Sequence, residues 1–533
     1  MKLKQLIAAA LIACSAACFA SAQPSKPSSL QPAKATEPTR ESLEAAWQAA
    51  YEEHDYEAAA DGLAELVRFA PGDPIVRYNL ACVQTLRGDI DGAERALRKC
   101  IELGFTDFPR MLAEKDLQPL AEGVVFAAIR EGWRELQDTG IDYRLQQFQR
   151  TLKVNNQTAE QRGYQIEKNA PLRLAFVSGF SKEGHAETKV ELQRITDYWR
   201  SHVLPPDATA VVADGQHPDP WVLVFLPNAV DFQSWASATL GARADRVGGL
   251  YDNWKQQLVA RDLGPTLRHE FWHALHWRHM SRVGQVHAMW VQEGLCSLIE
   301  DVDLVVEQDE SVRLVPVASW RTNTARRMAK INLLPKLSVL MTMDEKTYMG
   351  SRALGHYAAS RAFFLWLVQG GAGGIDGGAK MKPGKAVALP SRLRDWYAAY
   401  TADFAADPTG KTTTERVLGK PLAALDRDFK AWLLALPDVG EQNTPGLPTL
   451  PCDMQPVGGE GMVVIGTGTN DLLRNPLIAG DVIVSVDGHA VRDQTELARL
   501  LGTPAFKPGQ QVLLKVRRDG RPFEVKVRLG QYE

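Results

Sequence analysis

Cysteine is scarce, with 6 in 533 residues, and no two stand as Cys-x-x-Cys. That excludes a disulfide-framed small fold and a cysteine-built zinc module. No strong charge of one sign is present either: 61 Lys and Arg face 64 Asp and Glu, for a net charge of -3. Neither nucleic acid nor a polybasic membrane contact is therefore expected as a partner. Beyond the first residues no apolar run is long enough to cross a bilayer. The one glycine-rich stretch, Gly370 to Gly378, has no preceding strand and no Lys-Ser/Thr after it. It reads as a loop and not as a phosphate cradle.

The N-terminus is a targeting segment. Lys2 and Lys4 precede a short apolar run from Leu6 to Phe19, and Ala20-Ser21-Ala22 is a small-residue cleavage site. Residues 1–22 read as a signal peptide, which places the mature chain outside the cytoplasm, periplasmic or secreted. Leu11-Ile12-Ala13-Cys14 also fits a lipobox, so an outer-membrane lipoprotein anchored at Cys14 is the alternative. Loss of the leader removes Cys14 and Cys18. Cys82 and Cys100 then either bridge or lie buried in a helix pair.

A chain of this length holds several cores, and the pattern divides it. Residues 23–40 are a polar, proline-bearing linker. From Glu41 the pattern is helical and repeats at a spacing of 34 residues: Asp55 with Asp89, Ala59 with Ala93, Leu63 with Leu97. Residues 41–140 resemble tetratricopeptide repeats, atypical in carrying Trp47 where a small residue is usual, with Phe108 to Gln137 as a cap. Residues 165–437 read as an α+β domain. Its strands are Leu172 to Val177 and Trp221 to Leu226, and a long helix begins near Gly264. Residues 438–456 carry the prolines of a linker. Residues 457–533 are mostly β and contain Ala479-Gly480-Asp481-Val482-Ile483-Val484-Ser485-Val486-Asp487-Gly488. That stretch resembles a PDZ domain of the bacterial protease type, with Gly458 to Gly461 as the nearest match to its carboxylate-binding loop. The fold class is therefore multidomain: all-α repeats, an α+β domain and a mostly β PDZ-like domain.

The chemistry sits in His269-Glu270-Phe271-Trp272-His273. On a helix, His269 and His273 lie one turn apart on one face and can hold a Zn²⁺ ion, while Glu270 is placed as general base for a bound water. Two residues compete as third ligand. Glu293, in Trp290-Val291-Gln292-Glu293-Gly294, would come from the next helix. His279 has the spacing of HExxHxxGxxH, but His276 stands where that motif needs glycine.

This pattern resembles the gluzincin metallopeptidases, and residues 165–437 are similar to their zincin-like domain. The resemblance implies His269, His273 and Glu293 as zinc ligands. It implies an edge strand beside the zinc helix, taken as Gln257 to Arg261, and an oxyanion donor on a later helix. Tyr357 is that candidate, ahead of His356, His287 and Tyr348. Ser297 stands where some members carry an Asp that orients the first His, with Glu300 and Asp301 a turn further on. The amine-binding Gly-x-Met-Glu-Asn run of gluzincin aminopeptidases is absent, which favours an endopeptidase acting on peptide or protein substrates. The alternative is an inactive peptidase-like scaffold that binds peptides through its repeats and PDZ-like domain.

Overall fold

The computed structural model describes residues 38–208, 217–241, 247–307, 312–369, 392–441, 444–456, 461–467 and 476–532. The leader with Cys14, most of the linker after it, Gly458 to Glu460 and the glycine loop at 370–378 lie outside the described residues.

The chain starts with helices α1 (Arg40–Glu52), α2 (Tyr56–Phe69), α3 (Pro74–Leu86) and α4 (Ile90–Glu102). The 34-residue spacing has a local cause. Asp55 and Asp89 are both N-caps, and each accepts a backbone N–H three residues on, from Ala58 and Gly92. Ala59 and Ala93, Leu63 and Leu97 are all fully buried between helices. Trp47 is buried too, because Gly62 leaves room for it: a Cβ there would lie 3.0 Å from Trp47 Cβ. Cys82 and Cys100 are buried thiols. Helix α5 (Phe108–Ala113) and the long α6 (Val124–Thr151) complete this unit.

Next comes a five-stranded mixed sheet: β1 (Gln165–Asn169), β2 (Leu174–Ser178), β3 (Val222–Leu226), β4 (Gly249–Asp252) and β5 (Gln257–Ala260), in the order β1-β2-β3-β5-β4. β2, β3 and β5 run parallel, and helices cover both faces. Leu174, Phe176, Val222 and Val224 face the core built with α7 (Lys182–His202) and α9 (Pro265–Val283). Ala175, Val177, Leu223 and Phe225 face α6 and α8 (Ala229–Leu240). One expectation is corrected here. Gln257 to Arg261 does not form the edge; β5 pairs with β3 on one side and with β4 on the other. The edge strand is β4, whose sequence reads as a turn because it is four residues long and starts with glycine.

After α9 come α10 (Met289–Leu298), the hairpin β6 (Val302–Val306) and β7 (Val312–Pro316), and α11 (Trp320–Lys330). Short helices α12 (Leu337–Leu340) and α13 (Glu345–Tyr348) lead to α14 (Ala353–Val368). Helices α15 (Arg392–Asp403), α16 (Lys411–Leu418) and α17 (Leu422–Ala435) pack around α14, which is buried over almost its whole length.

The C-terminal sheet runs β14-β13-β11-β10-β9, with β9 at Asp453–Pro456, β10 at Met462–Gly466, β11 at Val482–Val486, β13 at Gln511–Arg518 and β14 at Arg521–Arg528. Two-residue β12 (His489–Ala490) pairs with β11, and α18 (Gln494–Leu501) lies on the sheet. Here the expected 438–456 linker is too long. Its second half supplies β8 (Pro448–Thr449), which pairs with β15 (Gly530–Gln531), and β9, which pairs with β10. Two of the prolines that suggest a linker, Pro448 and Pro456, stand at strand ends, where the missing N–H breaks no ladder.

Helices α10 and α14 touch at Gly294, where a Cβ would lie 2.7 Å from Phe364 Cε2 and 2.9 Å from Ser360 Cβ. Gly294→Ala is expected to destabilise the chain by about 1–3 kcal/mol through overpacking. Thermal melting checks this, and an unchanged midpoint would mean that the two helices part freely.

Candidate metal centre

Helix α9 is delimited by its own sequence. Pro265 occupies the first turn, where no N–H is needed, and Gly284 ends the helix in the left-handed conformation at φ 64°. Phe271 and Trp272 are fully buried on the core side. That leaves His269, Glu270 and His273 on the partly open face. Helix α10 crosses this face and presents Glu293.

The structure brings His269, His273 and Glu293 together. His269 Nε2 and His273 Nε2 are 3.1 Å apart, and Glu293 Oε2 lies 3.3 Å from the first and 3.6 Å from the second. A tetrahedral ion with N and O ligands at about 2.0–2.2 Å requires ligand atoms about 3.3–3.5 Å apart, so this triangle fits such an ion. Glu293 Oε2 is buried and has no hydrogen-bond partner among the described residues, as a ligand atom awaiting a cation would be. Burial pushes the Glu293 carboxyl up, but His273 and His269 outweigh it and hold it well below the usual carboxylate range.

Cys296 Sγ also lies within 4.8 Å of the two imidazoles. Burial, with Glu293, Glu270 and Glu300 around it, pushes that thiol well above its ordinary range. Glu293 Oε2 stands 3.3 and 3.6 Å from the two imidazole nitrogens, the separations that ligands of one ion require, so the carboxylate is the better third donor. His279 is placed elsewhere: it is buried two turns along α9, and its Nδ1 meets Tyr397 Oη at 2.8 Å. His276 pairs with His287 at 2.8 Å, both buried.

Glu270 is oriented from the edge strand. The Tyr251 backbone N–H of β4 donates to its Oε2 at 2.8 Å. Burial raises the Glu270 carboxyl above its ordinary range, against the lowering effect of the two histidines. That shift makes it a stronger base when ionised. Tyr357 of α14 stands beside the site. Its ring is 6.4 Å from that of His269, its hydroxyl donates to Met349 Sδ at 3.5 Å, and burial together with the nearby Glu293 pushes its phenol well above the ordinary range. The other oxyanion candidates are engaged elsewhere. Tyr348 Oη donates to Ser360 Oγ, His356 Nδ1 meets the Tyr348 carbonyl, and His287 is in the pair with His276.

The residue that orients His269 is Glu300, not Ser297, whose hydroxyl is buried without a partner among the described residues. Glu300 Oε1 lies 2.8 Å from His269 Nδ1. Arg321 of α11 forks onto the same carboxylate at 2.5 and 2.8 Å. Burial pushes Glu300 up, and Arg321 and His269 more than reverse this, leaving its carboxyl at about 2. Nothing in the sequence marked Arg321, because it lies outside the helix pair that carries the motif. Burial and the neighbouring Glu293 push the Glu345 carboxyl up to about 7.

A PDZ domain family model matches residues 470–529. No curated protein matches the chain. Among solved structures, the crystal structure of an aminopeptidase N family protein from Idiomarina loihiensis is similar over 69% of this chain and 67% of that one, at 11% identity and a TM-score of 0.26. A superposition of that extent does not establish a shared fold. Residues 470–529, which include β11, β12, α18, β13 and β14, are a PDZ domain, and its sheet is completed by β9 and β10 from before the matched span.

Proposed function

We propose that the chain is a zinc-dependent peptidase that cleaves peptide or protein substrates outside the cytoplasm. The observation that supports this most directly is the triangle of His269 Nε2, His273 Nε2 and Glu293 Oε2 with Glu270 on the same helix face. Zinc bound by these three residues would polarise a scissile carbonyl and bring the pKa of a coordinated water towards about 7.

The remaining work falls to side chains of this chain. Glu270, held by the Tyr251 N–H, takes the proton of the attacking water and passes it to the leaving amine. Tyr357 donates its hydroxyl to the developing oxyanion. Arg321 and Glu300 keep His269 in one tautomer and one orientation. The edge strand β4 runs past Glu270, so an extended substrate can pair with it. In this reading residues 41–140 are tetratricopeptide-like, residues 165–437 form a gluzincin-like catalytic domain, and the repeats and the PDZ domain bring protein substrates to the site. The leader supports a periplasmic or secreted location, or a lipid anchor at Cys14.

Glu270→Gln is expected to keep its zinc and to lose at least about 10²-fold in kcat on an unfolded protein such as casein. Cleavage that survives the substitution overturns the mechanism. Tyr357→Phe should lower kcat by about 10²–10³ with KM near wild type; a change confined to KM would assign the tyrosine to substrate binding instead. Metal analysis should find zinc lost in Glu293→Ala and kept in His279→Ala, and the opposite result would move the third ligand to His279.

A further inference from the structure

Helix α18 of the PDZ domain packs against the first turn of α9. Gly264 is needed there, since a Cβ would lie 2.0 Å from Asp493 Oδ2 at the start of α18. Arg268, the residue before His269, is 1% exposed and carries its charge into this contact. Its Nε and Nη2 donate to the Glu300 carbonyl at 2.9 and 2.6 Å. Its Nη1 donates to Glu191 of α7 at 3.2 Å, and Nη2 also reaches Glu496 of α18 at 2.9 Å. Arg492, just before α18, donates to the same Glu191 oxygen at 3.2 Å. Arg268 and Arg492 thus meet Glu191 and Glu496 in one cluster, with Arg194 3.8 Å from the other Glu191 oxygen and Asp493 beside Glu496, and removal of a partner of the buried Arg268 would leave its charge poorly compensated.

The same helix holds the next residues from the other side. Arg499 donates to Asp303 at 2.6 Å and to the Val302 carbonyl at 3.3 Å. Residues 300–303 are therefore fixed at both ends by α18: through Glu496 and Arg268 at Glu300, and through Arg499 at Val302 and Asp303. Within that segment the Glu300 carboxylate holds His269 Nδ1.

We propose that α18 is a working part of the metal centre, in which Glu496 and Arg499 are positioning residues that set His269 through residues 300–303. This rests on the peptidase reading and goes beyond it: the PDZ domain shapes the site in addition to any peptide it binds. The cluster lies one residue from a candidate metal ligand, and a small movement of α18 reaches it through three hydrogen bonds, Glu496 to Arg268, Arg268 to the Glu300 carbonyl and Glu300 to His269.

The test uses the full chain as wild type, Glu496→Gln, Glu496→Asp, Arg499→Gln and Asp303→Asn, with Lys526→Ala on the exposed face of β14 as control. The readouts are zinc release to a chelator and the visible spectrum of the cobalt-loaded protein, with kcat and KM on a short peptide. Glu496→Gln and Arg499→Gln should release zinc about tenfold faster than wild type. They should also shift the cobalt bands and lower kcat at unchanged KM, while Glu496→Asp recovers part of each effect and Lys526→Ala matches wild type. Asp303→Asn weakens one of the two Arg499 anchors from outside the PDZ domain, leaving the bond to the Val302 carbonyl, and should repeat part of the Arg499→Gln effect, which keeps the test open if Glu496→Gln fails to fold. Folded variants with wild-type release and spectra overturn this inference alone. A wild-type chain that binds no metal, or Glu270→Gln that still cleaves, overturns the reading beneath it.

Discussion

A cation is buried one residue away from a candidate metal ligand, and much of the arrangement follows from that constraint. Arg268 cannot reach water, so its charge has to be met inside the protein. The partners come from three places: Glu191 on α7, the Glu300 carbonyl after α10, and Glu496 on the PDZ domain. Once these are in place, α9 is fixed in rotation, and with it the direction in which His269 and His273 point. The same partners that neutralise Arg268 also hold the segment whose carboxylate fixes His269.

The other end of α9 is held by the helical unit. Asp107, buried before α5, accepts from Trp277 Nε1 at 3.1 Å and from Ser281 Oγ at 2.5 Å. Arg110 stacks over Trp254, 3.2 Å from the ring centroid, between β4 and β5. Thr106 donates to Gln256 next to it. The helical unit therefore grips both α9 and the loop that turns β4 back along the sheet edge, the strand that orients Glu270. Residues that the chain places more than a hundred positions apart meet at one helix, and the three units share it.

Much of this was legible along the chain, and for local reasons. The 34-residue repeat came from two aspartate caps and the small and large residues behind them, each set within the second helix of its own pair. His269, Glu270 and His273 share a face because four residues make about one turn. Glu293 and Tyr357 were named from helices next to or similar to those of a known class, and the structure brings both beside the two histidines. What went astray depended on pairing. β4 rather than β5 is the sheet edge, because strand order is set by partners that no single segment encodes. The prolines at 437–456 read as a linker, yet β8 finds its partner in β15 at the far end of the PDZ sheet.

The sequence by itself determined the helix that carries the candidate site, the spacing of His269 and His273 on it and the place of Glu270 beside them. Each of these depends on residues within a turn or two of one another. Only the tertiary structure decided that Glu300 rather than Ser297 holds His269, that Arg321 locks Glu300, and that the PDZ helix closes the Arg268 cluster. A buried charge must find its counter-charge in space, and the sequence positions of Glu191, Glu300 and Glu496 carry no sign that they converge on one guanidinium.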